Sequence, residues 1–198
     1  MEKSTKDIIL SNAGKLFAKN GFSGTSIREI SKISNVNISA VNYHFTSKEN
    51  LFNEVVVNYY QSIDKKITNF CKQQVSLEDF SISVFRFFLD QSDMLLCNYR
   101  MYLSDDIKFE NKSNIKNRGN FGPPGLQSFK KVVRINYPLL KEEDVLFICN
   151  NIFSVICHSA ICYISPMLKP KMVKHPFFNK KALETNIIDL INVLTENI

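Results

Sequence analysis

The sequence lacks the short motifs that mark most catalytic and metal sites. Its 198 residues contain no glycine-rich phosphate loop, no HExxH segment and no CxxC pair. Five cysteines, an odd number, are scattered along a chain that is long enough to fold without disulfides. The neighbours Cys157 and His158 would point about 100° apart on a helix, so they cannot form a nucleophile–base pair unaided. We therefore expect free thiols, no metal, no cofactor and no enzymatic activity.

A secretory signal is also lacking. The N-terminal stretch "MEKSTKDIILSNAGKLF" carries acidic residues and no uninterrupted apolar block, so we expect a cytoplasmic protein. The 25 Lys+Arg residues exceed the 19 Asp+Glu residues and give a formal charge of +6. Such a charge suits a polyanionic partner, but it also suits an ordinary soluble basic protein.

Formal charge is absent from Val145 to Leu168, a segment long enough to span a bilayer as a helix. Asn150, Asn151 and His158 would then need polar partners within lipid. A soluble protein also buries such a helix between its own core and a partner subunit. We favour this second interpretation and predict no membrane contact.

Helical periodicity runs through almost the whole chain, without sustained strand-type alternation, and predicts an all-α fold. Ser4 or Thr5 can cap a first helix, which would end at Gly21 in a left-handed conformation. Ser26 and Glu29 form a capping box for a second, short helix that ends near residue 34.

Two further helices are predicted after the second. Asn37 would cap a short third helix, with Val41 and Phe45 facing inward one turn apart. Thr46 and Glu49 form another capping box, which would start a fourth helix that continues to about residue 70. Two short helices joined by a tight turn and braced by longer ones form a helix-turn-helix, whose second short helix enters the major groove. An ordinary helical hairpin is the alternative that this pattern leaves open.

The third helix would expose groups that suit a DNA groove better than a core. Small and apolar residues let the backbone approach and can touch a thymine methyl, while amide and hydroxyl groups can bond base edges. Aromatic and basic groups at the far end can reach phosphate oxygens. These candidates are, in chain order, Asn37, Ile38, Ser39, Ala40, Asn42, Tyr43, His44 and Lys48.

Residues 8–56, "IILSNAGKLFAKNGFSGTSIREISKISNVNISAVNYHFTSKENLFNEVV", resemble the N-terminal domain of the tetracycline-repressor (TetR) family of transcriptional regulators. The segments "LFAKNGF", "TSIREI", a turn and "YHF.SKE.L" recur in that order and spacing. The resemblance implies that Thr25 and Ser26 contact a phosphate and that Arg28 lies near the DNA. It also implies that residues 37–44 form the recognition helix and that Lys48 binds phosphate.

Two positions depart from the pattern of that family. Ser39 stands where a glycine or a comparably small residue is usual, and Asn42 stands where many members have tyrosine. Both residues are compatible with DNA binding.

The rest of the chain is predicted to form a larger helical domain for ligand binding and dimerisation. We place the domain boundary after residue 48, giving domains 1–48 and 49–198. Residues 110–127, with their glycines and prolines, would be irregular. Helices are expected to begin at Ser76, to cover residues 94–107, to surround Phe129, and to cover residues 145–165 and 183–198.

Polar groups on otherwise apolar helices could orient a ligand in this second domain. Aromatic residues at helical spacing are usually core residues, so only a few of them are candidates. The candidate ligand-binding residues are Tyr99, Arg100, Tyr102, Phe129 and His158.

The resemblance also implies a homodimer, in which the last two long helices of each copy pair across a two-fold axis. The uncharged 145–165 segment looks like one of these helices. The candidate interface residues are Ile152, Ile156, Ile187, Ile191 and Leu194.

These features predict a ligand-responsive repressor that binds a palindromic operator in double-stranded DNA. A small hydrophobic or aromatic effector, entering near "GNFGPPG" at residues 119–125, would release it. The alternative is a redox-sensing DNA-binding regulator, switched by oxidation of a thiol pair such as Cys157 and Cys162.

Overall fold

The computed structural model describes residues 4–71, 76–102, 123–168, 170 and 175–196, with the side chains of residues 100–102 excepted. Within these residues there are nine α-helices and no strand, so the predicted all-α fold is confirmed. The helices are α1 (Thr5–Asn20), α2 (Ile27–Ser34), α3 (Ile38–Phe45), α4 (Lys48–Phe70), α5 (Leu77–Asp90), α6 (Ser92–Tyr102), α7 (Leu126–Asn136), α8 (Glu142–Ile164) and α9 (Lys180–Thr195). Residues 103–107 and 197–198 of the predicted helices, and most of the predicted irregular segment, lie outside the described residues.

The chain forms two compact units. The first comprises Met1–Ser62 and Asp93–Phe121, and the second comprises Ile63–Ser92 and Gly122–Ile198. Neither coincides with the predicted domains 1–48 and 49–198. The reason is that α4 continues unbroken from residue 48, and its residues up to 62 belong with α1, α2 and α3.

The helices of the first unit begin at the predicted caps. The side chains of Ser4, Ser26 and Asn37 each accept a hydrogen bond from the backbone N–H three residues further on. Glu29 completes the capping box with Ser26, and Gly21 ends α1 with a φ of +75°. A positive φ favours glycine because a side chain at Cβ would be strained there.

The start of α4 differs from the prediction. Ser47, and not Thr46, accepts the capping hydrogen bond from the N–H of Asn50, at 3.1 Å. Thr46 instead ends α3, with a φ of +54° and its N–H donating to the carbonyl of Asn42. Only two residues separate α3 from α4, so Thr46 ends the first helix and Ser47 caps the second. The sequence pattern therefore placed the cap of α4 one residue too early.

Aromatic side chains fill the core of the first unit. The ring of Phe52 lies edge-on to Phe17, with centroids 4.8 Å apart, and Phe22 lies 5.3 Å from it. Val41 and Phe45 of α3 are buried in the same cluster, as predicted. These two side chains anchor α3 through one side and leave the opposite side free.

Gly14 lies where α1 packs against Tyr59 of α4. A Cβ atom at residue 14 would lie 1.9 Å from the phenol oxygen of Tyr59, far inside van der Waals contact. Tyr59 is only 8% exposed, and burial raises the pKa of its phenol. Glycine, which has no side chain, therefore fits beside this oxygen, and a larger residue does not.

We expect Gly14→Ala to lower the free energy of unfolding. Overpacking of this kind costs about 1–3 kcal/mol, which outweighs the gain of up to ~1 kcal/mol that alanine brings to a helix. Urea denaturation measures the change. Tyr59→Phe removes the oxygen nearest to the added methyl, so Gly14→Ala should cost less in that background; an unchanged cost would contradict the contact.

The second unit is built around α5, which packs against α7, α8 and α9. The ring of Phe129 lies edge-on to Phe80 at 4.8 Å and to Phe153 at 5.8 Å. Arg86 of α5 and Glu184 of α9 form a two-pronged ion pair, with Nε–Oε1 at 2.8 Å and Nη2–Oε2 at 3.0 Å. The hydrogen bond from Arg86 lowers the pKa of Glu184.

Among the described residues, α8 is long and apolar enough to cross a membrane by length and composition alone, a test that core helices also pass. One side of α8 is buried, including Val145 and Ile148. After the charged first turn of α8, its exposed positions recur at intervals of three or four residues. These positions, here called the α8 stripe, are Phe147, Asn150, Ser154 and His158.

The structure corrects most of the candidate interface residues. Ile152, Ile156, Ile187 and Ile191 are 0% exposed within the single chain, so they have no surface to offer a second copy. They form the packing between α8 and α9 and their neighbours in the same chain. Leu194 alone of the set is partly exposed. Helical periodicity identifies an apolar face, but it does not tell whether that face is covered by the same chain or by another.

Candidate nucleic-acid interface

The turn between α2 and α3 holds the two short helices at a fixed angle. Asn35 ends α2 in the left-handed conformation, with φ 53° and ψ 45°. The backbone N–H of Val36 donates to the carbonyl of Ser31 at 3.0 Å. Asparagine is one of the few residues besides glycine that enters this conformation readily.

Asn12 is a further residue that positions this turn, and it is not among the residues predicted from the sequence. Its Nδ2 donates to the carbonyl of Ile33 at 3.4 Å and to the hydroxyl of Ser34 at 3.3 Å. The side chain thus ties α1 to the end of α2. An asparagine next to the apolar face of α1 is the sequence signal that could have revealed it.

The exposed side of α3 carries the residues predicted for it. Tyr43 is 84% exposed. The ring centroids of Tyr43 and His44 lie 5.3 Å apart. The other candidate residues of this helix fall into two groups: those that are exposed are Asn37, Ile38, Ser39 and Asn42, and those that are half-buried are Ala40 and His44.

At the start of α2, Ser26 and Arg28 are exposed, as a phosphate contact requires. Both the N–H and the hydroxyl of Ser26 already donate to Oε2 of Glu29, at 2.8 Å each. The hydrogen bonds from Ser26 lower the pKa of Glu29, so this carboxylate is charged at neutral pH. The free protein therefore places an anion of its own at this helix end.

Thr25 is placed differently from its expected role. It is only 2% exposed, and its hydroxyl donates to the carbonyl of Gly21 at 2.8 Å. The side chain stabilises the turn between α1 and α2 and is not presented to a phosphate.

Lys48 lies at the same end of the unit as Ser26. Its Nζ donates to the backbone carbonyl of Thr25 at 2.9 Å and lies 4.2 Å from the ring centroid of Phe22. An ammonium group has three N–H donors, so two remain for other acceptors. The residue thus fastens the start of α4 beside the start of α2 while keeping a positive charge there.

The candidate ligand-binding residues are not gathered in one unit. Tyr99 lies in the first unit and is partly buried, whereas Phe129 and His158 lie in the second. Phe129 is fully buried among aromatic rings, and His158 is exposed on the α8 stripe. The side chains of Arg100 and Tyr102 lie outside the described residues.

The thiol pair of the redox alternative cannot form a disulfide in this structure. Cys157 and Cys162 lie five residues apart on the unbroken helix α8, a rise of about 7.5 Å. A disulfide requires Cα atoms closer than about 7 Å, so oxidation would have to break the helix. Cys149 is buried, and burial raises the pKa of its thiol to about 12.

The fold and the site define a helix-turn-helix protein with a second, all-helical unit. Residues 9–55 match the model of the bacterial regulatory proteins of the tetR family. Over these residues the chain is similar to the DNA-binding part of the tetR-family regulatory proteins.

Two relatives each match about a third of the chain. "Probable HTH-type transcriptional regulator YttP" of Bacillus subtilis (strain 168) is 42% identical over 67 residues, covering 34% of this chain and 32% of that protein. "HTH-type transcriptional repressor NicS" of Pseudomonas putida is 41% identical over 61 residues, covering 31% and 29%. The chain thus spans about a third of the length of each.

A solved structure extends the similarity over nearly the whole chain. The TetR transcriptional regulator from Legionella pneumophila superimposes with a TM-score of 0.72, covering 95% of this chain and 97% of that one at 17% identity. Identity this low shows a shared fold and nothing finer.

Proposed function

We propose that the protein is a cytoplasmic transcriptional repressor that binds a palindromic operator in double-stranded DNA as a homodimer. The observation that carries the proposal is the exposed side of α3, where polar, small and aromatic groups lie together beside the start of α2. The relative NicS is named as a transcriptional repressor, which favours repression over activation.

The ordinary-hairpin alternative does not account for this surface. A buried helix of a hairpin would carry apolar residues on both sides, and a solvent-facing helix gains nothing from an almost fully exposed tyrosine. Tyr43 at the end of α3 and Lys48 one turn further on suit phosphate oxygens. Ser39 and Asn42, which precede Tyr43 on α3, suit base edges.

Selection of bound fragments from random duplex DNA tests the proposal. We expect a palindromic consensus and an affinity that falls linearly on a log–log plot against salt, because phosphate contacts release counterions. If no consensus is selected, or if the DNA affinity does not change with salt concentration, the proposed operator binding is wrong.

Asn42→Ala is expected to change the preference among DNA sequences. An amide can bond adenine through two hydrogen bonds, and each such contact discriminates by about 1–3 kcal/mol. Affinity for the selected site should fall 5- to 150-fold for each half-site, the equivalent of that range, while affinity for random DNA stays the same. Competition binding measures both values. Asn58→Ala, which alters an exposed asparagine of α4, is the matched control, and an equal loss on both DNAs would remove Asn42 from base recognition.

The homodimer is proposed to form through the α8 stripe and the exposed side of α9. Phe147 on the stripe and Val193 on α9 are large apolar side chains that are 61% and 64% exposed in the single chain. No side chain between residues 145 and 164 carries a formal charge, and the core of a subunit interface is depleted in charge. A stable interface on these helices would bury about 2,000 Å² or more.

Release by a small hydrophobic or aromatic effector is proposed to act through α4. Gly125, the last residue of the "GNFGPPG" segment, donates its N–H to Oδ1 of Asp64 at 2.9 Å. A Cβ at residue 125 would lie 2.6 Å from Ile67, so Gly125 and α4 are in close contact. Since α4 continues unbroken to Lys48, a shift imposed at Asp64 reaches the recognition helices. A coupling of about 1–3 kcal/mol corresponds to a roughly 5- to 150-fold loss of DNA affinity.

Asp64→Ala is expected to weaken the effector response. The variant removes the acceptor of the Gly125 N–H, whereas Asp64→Asn keeps an oxygen at the same place and serves as the matched control. Operator affinity is measured with and without a panel of hydrophobic and aromatic compounds. The fold-release by an active compound should shrink in Asp64→Ala and persist in Asp64→Asn; an identical release in all three proteins would disconnect this contact from control.

A further inference from the structure

His158 and Cys162 form an exposed pair of metal-ligating side chains on α8. They lie four residues apart, on consecutive turns, and His158 Nε2 is 3.5 Å from Cys162 Sγ. The other four cysteines of the chain are buried, whereas Cys162 is partly exposed. This thiol is therefore the one that a solvent ion can reach.

The separation of the two atoms fits a shared tetrahedral metal. Zinc binds histidine nitrogen at about 2.0–2.1 Å and cysteine sulfur at about 2.3 Å, and a tetrahedral angle then places these two atoms about 3.6 Å apart. The observed 3.5 Å is close to this value. A hydrogen bond between the thiol and the imidazole has a similar length. A measurement of metal binding therefore distinguishes a metal site from a simple hydrogen bond.

A single chain supplies only half of such a site. Among the residues that the structure describes, no three His, Cys, Asp or Glu side chains are grouped so that they could hold a metal. His158, however, ends the α8 stripe, which is the surface proposed above to meet a second copy. A two-fold axis that brings the ends of the two stripes together would place two histidines and two cysteines around one point.

We propose that two copies of the chain hold one Zn²⁺ between them, through His158 and Cys162 of each copy. The inference rests on the proposed homodimer. On binding, each thiol releases a proton to solvent, and the two thiolates and two neutral imidazoles donate electron pairs to the metal, with no change of oxidation state. Two thiolates balance the charge of Zn²⁺, so the site is neutral and suits the uncharged surface around it.

Zinc binding at this place would make the metal a partner in assembly. An ion that binds the dimer and not the monomer stabilises the dimer by mass action. Borderline-soft ligands of this kind favour zinc over magnesium or calcium, which prefer oxygen.

Titration of the chelator-treated full chain with Zn²⁺ and with Co²⁺ tests the proposal. We expect one metal per two chains, and for Co²⁺ the visible absorption of tetrahedral coordination with a thiolate charge-transfer band. His158→Ala and Cys162→Ser should each weaken binding at least 100-fold. Cys157→Ser, which alters the buried neighbour, and His175→Ala, which alters another exposed histidine, should leave it unchanged.

Sedimentation and operator binding in chelator separate failure of this site from failure of the proposed function. A metal-free chain that dimerises and binds DNA, yet takes up no zinc or binds it equally in Cys162→Ser, overturns the metal site alone. One metal bound per monomer overturns the shared site. A chain that is monomeric with and without zinc overturns both the site and the proposed dimer.

Discussion

The double variant Tyr43→Ala/Lys48→Ala is expected to lose at least about 100-fold in affinity for operator DNA. Each hydrogen bond to a charged phosphate contributes about 1.5–3 kcal/mol, and a dimer would lose two contacts from each half. Tyr43 is almost fully exposed, so its truncation leaves the core intact. Lys48 gives up one hydrogen bond to the carbonyl of Thr25, a small loss of stability that thermal unfolding measures.

Fluorescence anisotropy over a salt series resolves the effect on DNA. The slope of log K against log salt should decrease by about one for each ionic contact removed. Lys15→Ala removes the same charge from an exposed lysine of α1 and is the matched control. Tyr43→Phe isolates the hydroxyl. If the double variant bound the operator as tightly as the wild type, α3 and the start of α4 would not be the DNA-binding surface.

Ser154→Glu is expected to produce a folded monomer with greatly weakened operator binding. Ser154 is exposed in the middle of the α8 stripe, so a longer side chain there disturbs nothing inside its own chain. In a dimer that meets through the stripe, each copy would bury the added carboxylate in the interface, away from water. Burying an unpaired charge costs several kcal/mol, enough to dissociate an interface of moderate stability.

Sedimentation equilibrium gives the association state and circular dichroism verifies the fold. Ser154→Ala keeps the surface uncharged and should remain dimeric, and Gln127→Glu adds the same charge to an exposed position of α7 as a second control. A dimeric Ser154→Glu protein would exclude the stripe as the interface. A charge at Ile187 is not a suitable test, because that residue is fully buried and its replacement would unfold the chain itself.

The features that the sequence predicts well depend on a few neighbouring residues. The caps at Ser26 and Asn37 and the inward pair Val41 and Phe45 depend on spacings of three or four positions, which a helix imposes directly. The exposed side of α3 follows from the same periodicity, because it is what remains once the inward residues are placed.

The features that the sequence could not supply join residues far apart along the chain. Lys48 meets Thr25 across 23 positions, and Gly125 meets Asp64 across 61. The burial of Ile152 and Ile187 against each other's helices likewise depends on how α8, α9 and α5 pack. Apolar spacing predicts these faces but not their partners, so it does not separate core residues from interface residues.

The capping carboxylate of Glu29 has a consequence for how DNA is received at the start of α2. A phosphate that reached Ser26 would find its N–H and hydroxyl already occupied by Oε2 of Glu29. Contact at this point is therefore an exchange of one anion for another, and the helix end is already arranged for a negative charge before DNA arrives. The net gain from this exchange is smaller than that of filling an empty site, which leaves more of the affinity to α3 and Lys48.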